Sequence, residues 1–423
     1  MKLFKSLLLA AGFIGLLASC NNIDGPAFQQ DDASSLTINI SSGLLTKADD
    51  IYQSDDEKRI KDVQLYIFKA SDGSLYRYID TVLPQASVAG SWSIKQENVN
   101  ANEDYKVAVF VNGLSATPRV RFNTEISDID DLHAKVIYLA SSNPDGGQGS
   151  FAMYGETPDP IHVGVNAEAA ANITVRRFVS RIRLMSIQNK LPESYGQLTI
   201  TKVFVINAMS KWNMNGSPMS ATSAAPATYG KFNWAGRKWG QSNSDGATNF
   251  ISAAADCQGS GPDASTMYPY GNQTFKAYSG CVIDNYYVSA ATSIKTFDNG
   301  NGDRFYVFPN SCASDAATGS SMSPTFNGKM ELGTDEFQKA ATHNAPTRLV
   351  IVATFNNPNV DSGKPYYYPV VIPNMERNKT YDVQLIISGF GSDDPNLEPA
   401  KGSINTTITV ANWEGATTVN QEI

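Results

Sequence analysis

The sequence predicts an all-β chain of two domains with few and short helices, and three observations carry that reading. Charged residues make up only 17% of the 423 residues, while Gly, Ser, Thr, Asn and Tyr are plentiful. That balance suits half-buried pleated surfaces better than helical bundles. Apolar residues recur at every other position in short runs, each stopped by Gly, Asn, Asp or Pro. Once a leader is set aside about 400 residues remain, more than one hydrophobic core ordinarily organises.

Residues 1–19 read as a secretory leader. Lys2 and Lys5 precede an apolar run from Leu7 to Leu17, then come the small pair Ala18-Ser19 and Cys20. The run is shorter than the ~18–20 apolar residues that spanning a bilayer requires, and no later stretch reaches that length. Leu16-Leu17-Ala18-Ser19-Cys20 resembles a bacterial lipobox, which implies cleavage before Cys20 and a lipid on the new amino terminus. Residues 20–35 are polar, include Gly25 and Pro26, and read as a tether with too little apolar surface to pack.

The strands follow in order. Leu36-Thr37-Ile38-Asn39-Ile40 alternates cleanly and stops at Ser41-Ser42-Gly43. Ile60 to Phe68 puts Val63, Leu65 and Ile67 on one face, and Ser71-Asp72-Gly73 turns the chain into the next strand, Leu75 to Ile79. Tyr105 to Val111 is largely apolar, which predicts a central strand, and it ends on Asn112-Gly113. Ser127 to Ala140 holds a short helix signal, with Ser127 or Asp128 as its cap. Loop signals from Ile161 to Asn172 divide an N-terminal domain of residues 48–166 from a C-terminal domain of residues 167–423. Beyond them Arg176, Arg177, Arg181 and Arg183 alternate with Val175, Phe178, Val179, Ile182 and Leu184, the pattern of one strand with a wet and a dry face.

In the second half, Gln197 to Asn207, Arg304 to Phe308, Arg348 to Phe355, Tyr366 to Ile372 and Thr380 to Ile387 carry strand composition. From Trp212 to Asp303 the chain is rich in Ser, Gly, Ala, Asn and Tyr with few periodic runs. A loop that long is uncommon in a compact domain, so the region is expected to be a surface insertion or to hold short strands. Near the end, Ile404, Thr406, Ile408 and Val410 share one face and Asn405, Thr407 and Thr409 the other. Asn412 to Gly415 then turns into a last strand, Thr417 to Ile423.

Signals for chemistry are sparse. The sequence contains no G-x-S-x-G, H-E-x-x-H, Walker A or Rossmann pattern, and its histidines, His133, His162 and His343, are a poor supply of general bases. An enzyme is therefore disfavoured, and no cofactor or metal is expected. Asp298-Asn299-Gly300-Asn301-Gly302-Asp303 has glycine where a calcium loop needs its third-position oxygen, so it reads as a tight hairpin. Asp55-Asp56-Glu57 and Asp393-Asp394 lie in polar surroundings and read as solvated turns. A net charge of −8 without a basic stripe argues against nucleic acid as a partner. Beyond Cys20, an exported chain can oxidise one pair among Cys257, Cys281 and Cys312, and the sequence leaves the pairing open.

Several segments in order resemble the FimA-type major fimbrillins, the shaft subunits of the type V pilus. They are Leu36 to Ile40 with Thr46-Lys47-Ala48-Asp49-Asp50, Arg59 to Phe68, Phe151-Ala152-Met153-Tyr154-Gly155, Val175 to Ile182, Arg304 to Asn310, and Trp413 near the C-terminus. The resemblance implies two transthyretin-like β-sandwiches in tandem and an outer-membrane lipoprotein precursor held through Cys20. It implies that an Arg- or Lys-specific protease cuts after the basic residue that follows the first strand. Here that residue is Lys47, with Ala48 next, where many relatives have arginine, so which protease acts is left open. Residues 36–47 are then removable. Loss of Leu36, Ile38 and Ile40 empties a groove, and the C-terminal strands 404–423 of another subunit, through Ile404, Ile408, Val410, Val419 and Ile423, fill it. The partners so implied are copies of the chain itself and related fimbrial subunits. Two other readings are a fimbrial tip adhesin or anchor, and a surface lipoprotein whose Trp234, Trp239 and Tyr268 stack on glycans.

Overall fold

A computed structural model describes residues 34–42, 55–83, 90–115, 119–123, 125–138, 151–206, 211–216, 275–298, 302–309, 347–357, 363–372, 375–392, 399–400, 402–412 and 415–422. The first half contains β1 (Ser35–Ser41), α1 (Asp55–Lys58), β2 (Asp62–Lys69), β3 (Leu75–Val82), β4 (Ser91–Glu97), β5 (Glu103–Val111), α2 (Ile129–His133), β6 (Val136–Tyr138), β7 (Met153–Glu156), β8 (Ile161–Val163), β9 (Glu168–Thr174) and β10 (Arg176–Arg177). The second half contains β11 (Ser180–Asn189), β12 (Gln197–Ile206), β13 (Lys211–Asn213), β14 (Phe275–Ile283), β15 (Ile294–Thr296), β16 (Asp303–Val307), β17 (Thr347–Asn356), β18 (Tyr366–Ile372), β19 (Lys379–Ile387), β20 (Ile404–Asn412) and β21 (Gly415–Glu422). The chain is all-β, as the alternating runs predict.

Each half is a two-sheet sandwich, and the two share one strand order. In the first, the sheet β4-β1-β9 packs on the sheet β10-β7-β5-β2-β3, with β8 also on β5. In the second, β15-β11-β19-β20-β21, with β16 also on β11, packs on β14-β12-β17-β18. β1 and β11 are the first strands of their sandwiches, each parallel to a late strand (β9, β19) and antiparallel to a middle one (β4, or β15 and β16). β2 between β3 and β5 corresponds to β12 between β14 and β17. The second sandwich alone adds a closing hairpin, β20 and β21, beside β19.

The two halves are joined by more than the chain. One core runs from Tyr66, Phe110 and Phe151 of the first into Phe178, Ile182, Phe305 and Tyr306 of the second, with the Phe151 and Tyr306 rings 4.7 Å apart. β6 also pairs with β13, Trp212 opposite Ile137. So large an apolar junction opposes the relative motion that is the default between domains.

Strand pairing departs from the expected pattern in three places. Sheet membership changes between Arg177 and Ser180, not at residue 167, because the small and polar alternate residues of β9 have the composition of a loop. The arginine-bearing stretch is two strands in different sheets, and its supposed wet face is mostly dry: Arg177 and Arg181 are 0% exposed and Arg183 4%. The described strands on either side of Asp298–Asp303, β15 and β16, do not pair with each other as a hairpin would, and residues 299–301 lie outside the described residues. β15 and β16 both run antiparallel to β11, one after the other, so the segment between them links two parts of one interrupted edge. Of the region 212–303, expected to be a surface insertion or to hold short strands, the described part holds strands β13, β14 and β15, and residues 217–274 lie outside the described residues. The expected helix forms as α2, where Asp128 accepts from Asp131 N at 2.8 Å.

Candidate assembly groove

The sequence of β1 suits it to the middle of a sheet. Leu36, Ile38 and Ile40 alternate with Thr37, Asn39 and Ser41, so an extended chain turns all three apolar groups to one side. They are 0%, 0% and 2% exposed and share a core with Val63, Leu65 and Ile67 of β2, Val107 and Val109 of β5, and Ala171 and Ile173 of β9. All of Ser35–Ser41 pairs on both edges, antiparallel with β4 and parallel with β9. Outside the ladder, Ser35 N donates to Ala167 O at 3.0 Å, Ser42 N to Gly90 O at 2.8 Å and Val175 N to Ser41 O at 2.8 Å.

The solvent face of β1 is bonded by neutral groups of its own. Asn39 Nδ2 donates to Asn172 Oδ1 at 2.9 Å, Ser93 Oγ to Asn39 Oδ1 at 2.7 Å, and Thr37 Oγ1 to Glu168 Oε1 at 2.9 Å. Lys95 of β4 reaches Glu97 at 3.2 Å and Glu168 of β9 at 3.7 Å, the second contact crossing over β1. These carboxylates push the Lys95 ammonium pKa up, first through the Glu97 bond. Such exposed pairs contribute little, so β1 is held chiefly by three buried side chains and two backbone ladders. Gly155 of β7 lets β9 approach β7 closely: a Cβ there meets Thr174 O at 2.5 Å and Ile173 Cγ2 at 3.0 Å.

The remaining expected site residues are distributed as follows. On β20, Ile408 is 1% exposed, and Ile404 and Val410 pack partly buried against the larger core. Val419 lies on β21 opposite Val410. β20 has a strand on each side, whereas β21 is the edge of its sheet. Cys281 lies on β14 opposite Ile200, a free thiol whose pKa burial pushes up. Cys20, Lys47, Ala48, Cys257, Cys312 and Ile423 lie outside the described residues, as do Trp234, Trp239 and Tyr268.

Sequence reasoning missed a buried polar cluster near the end of β1. Glu57, read as part of a solvated turn, is 0% exposed and paired with Arg181 at 2.9 Å. The signal for it was arginine rather than lysine at 177, 181 and 183 within an apolar stretch, since the planar guanidinium suits buried pairing.

These features define a two-domain all-β protein whose N-terminal sandwich is completed by its own first strand. No protein-family model matches the chain, and no curated protein matches it. Among solved structures it is similar to a fimbrilin, FimA, of Porphyromonas gingivalis at 13% identity and a TM-score of 0.52, over 90% of this chain and 98% of that one. It is also similar to candidate cell adhesion proteins of Bacteroides eggerthii (16% identity, TM-score 0.55, 90% and 97% covered) and Parabacteroides distasonis (14%, 0.55, 90% and 99%). At these identities the likeness is one of fold, and it extends through both sandwiches.

Proposed function

We propose that this chain is a structural subunit of a cell-surface fimbria, exported as a lipoprotein through Cys20, matured by a cut after Lys47, and polymerised when C-terminal strands of one copy replace β1 of the next. One observation carries the reading: β1, the strand that precedes Lys47, fills the middle of its sheet rather than an edge. Its loss uncovers the sites of Leu36, Ile38 and Ile40, worth roughly 5–9 kcal/mol of burial at about 1.5–3 kcal/mol each. It also leaves β4 and β9 with unpaired backbone groups along seven residues each. A groove of that kind favours capture of another strand. The fold shared with the Porphyromonas gingivalis fimbrilin supports the same reading.

The donor is β21 first. As an edge strand it leaves by breaking one ladder, whereas moving β20 also breaks the ladder to β19 and uncovers Ile408. The test is electron microscopy of the chain from residue 20 with Cys20→Ser, before and after limited trypsin, with sequencing of the new amino terminus. Filaments are expected only after a cut between Lys47 and Ala48, and not when residues 415–423 are deleted. A clean cut that leaves monomers contradicts the polymer and turns attention to a tip or anchor role.

A further inference from the structure

Glu57 belongs to the N-terminal half of the chain, but its carboxylate is bonded by the C-terminal sheet. Both oxygens accept from Arg181 Nη1 at 2.9 Å, and the Tyr306 hydroxyl donates to Oε1 at 2.7 Å. Arg181 is fixed in turn by Thr380, whose Oγ1 accepts from Nε at 3.2 Å and Nη2 at 3.0 Å. A second guanidinium holds the backbone of α1: Arg177 donates from Nε and Nη2 to Glu57 O at 3.1 and 2.8 Å, and from Nη1 to Asn378 Oδ1 at 3.1 Å. Glu57, Arg177 and Arg181 are all 0% exposed. Burial pushes the Arg181 guanidinium pKa down and the Tyr306 hydroxyl pKa up. A charge so placed is tolerated only while its partners stay, so the set holds together or fails together.

The position of α1 in the chain gives the cluster its use. It is the first described element after residues 43–54, which include Lys47. Just downstream, Asn112 ties the chain to the N-terminal sandwich, accepting from Lys61 N at 2.8 Å and donating to Arg59 O at 2.9 Å and Phe151 O at 2.8 Å. Upstream, Ser42 Oγ at the end of β1 donates to Lys58 O at 2.8 Å. Both sets of contacts are buried, but those of the Glu57 carboxylate to the C-terminal sheet are charged, while this contact back to β1 is a neutral hydroxyl bond.

We propose that α1 is a clasp: Glu57 anchors the segment behind the cut on the C-terminal sandwich, so that β1 departs while the junction between the sandwiches stays closed. This rests on the removal of β1 proposed above. Glu57 acts as a positioning residue, keeping both groove walls on a rigid body and stopping the opening at α1.

Hydrogen exchange read by mass spectrometry, on the full chain uncut and cut after Lys47, tests the clasp. In the wild type, residues 55–60 stay protected in both forms. Glu57→Gln keeps the shape and removes the charge, and is expected to speed exchange there by roughly ten- to a hundredfold, the worth of hydrogen bonds to a charged group, with β2 unchanged. Tyr306→Phe removes a single bond to the carboxylate and is expected to give a rise of about tenfold, the low end of that range, a milder variant should Glu57→Gln disturb folding. The clasp is overturned by equal exchange at 55–60 in wild type and both variants, or by loss of wild-type protection there on cutting. Failure of the groove reading appears elsewhere, as residues 35–41 that stay protected after the cut, and the uncut comparison still reads the clasp.

Discussion

β1 and β11 hold the same place in two sandwiches of the same strand order, yet different chemistry bonds them to their neighbours. Core burial does not distinguish them, since Leu36 and Ile38 are as fully buried as Ile182 and Leu184. Across its parallel ladder β11 makes a bidentate charge-assisted pair, Arg183 Nε to Asp382 Oδ1 at 2.6 Å and Nη2 to Oδ2 at 2.5 Å. β1 offers β9 a neutral amide pair and one hydroxyl bond to the solvent-exposed Glu168 carboxylate on that face, with no guanidinium fork. Charge-assisted bonds are about twice as strong as neutral ones. The chain also runs from β10 into β11 within a few residues, whereas residues 43–54 separate β1 from α1. On the proposed reading, β1 is as well buried as β11 and still separable, because side-chain charge and covalent continuity are placed elsewhere.

The largest test of this comparison is truncation in the two strands. Ile182→Ala is expected to destabilise the protein by about 2–5 kcal/mol both before and after a cut at Lys47. Ile38→Ala is expected to cost a similar amount in the uncut chain and nothing once β1 has gone, read by denaturant titration of each form. Equal losses from both variants in the cut protein break the comparison. The outer-face bonds come next. Asp382→Ala should cost about 3 kcal/mol by taking the carboxylate from a buried arginine, against roughly 0.5–1.5 kcal/mol for Asn39→Ala.

Gly155→Ala is expected to cost about 1–3 kcal/mol by forcing β9 off β7, and to weaken retention of an added strand peptide in the cut protein. Gly402→Ala is the control, because a Cβ there has no atom within 4 Å and meets only the strain of a φ of +87°. The smallest effect is one of pH. Burial by itself raises the Glu156 carboxyl, but hydrogen bonds from His133 at 2.8 Å and Tyr154 at 2.6 Å outweigh it and hold the pKa down to about 2. A carboxyl depressed in the fold stabilises it fully above the ordinary value of 4.5 and loses that contribution as pH falls toward about 2. Stability measured across that window should fall less steeply in Glu156→Gln than in the wild type.

Much of this arrangement was legible in the sequence where alternation is strict. Leu36 to Ile40 announces a half-buried strand, and Val63, Leu65 and Ile67 fall on the predicted face of β2, in the core that β1 completes. What alternation cannot show is which edge a strand presents, so the central position of β1 and the edge position of β21 emerged only with the pairing. β9 was hidden by its alanines, and β14 by a neighbourhood rich in serine and glycine. The clasp was hidden for two reasons. Charged residues are presumed wet until a partner is known, and Glu57 stands far from Arg181 and Tyr306 in the chain.

The separability of β1 is tested most directly by native mass spectrometry of the protein cut after Lys47, with and without a synthetic peptide of residues 404–423. Loss of the fragment carrying residues 35–41, and its replacement by one equivalent of the peptide, is the result predicted. A fragment that stays bound one to one and does not exchange would contradict the account, because β1 would then be as permanent as β11.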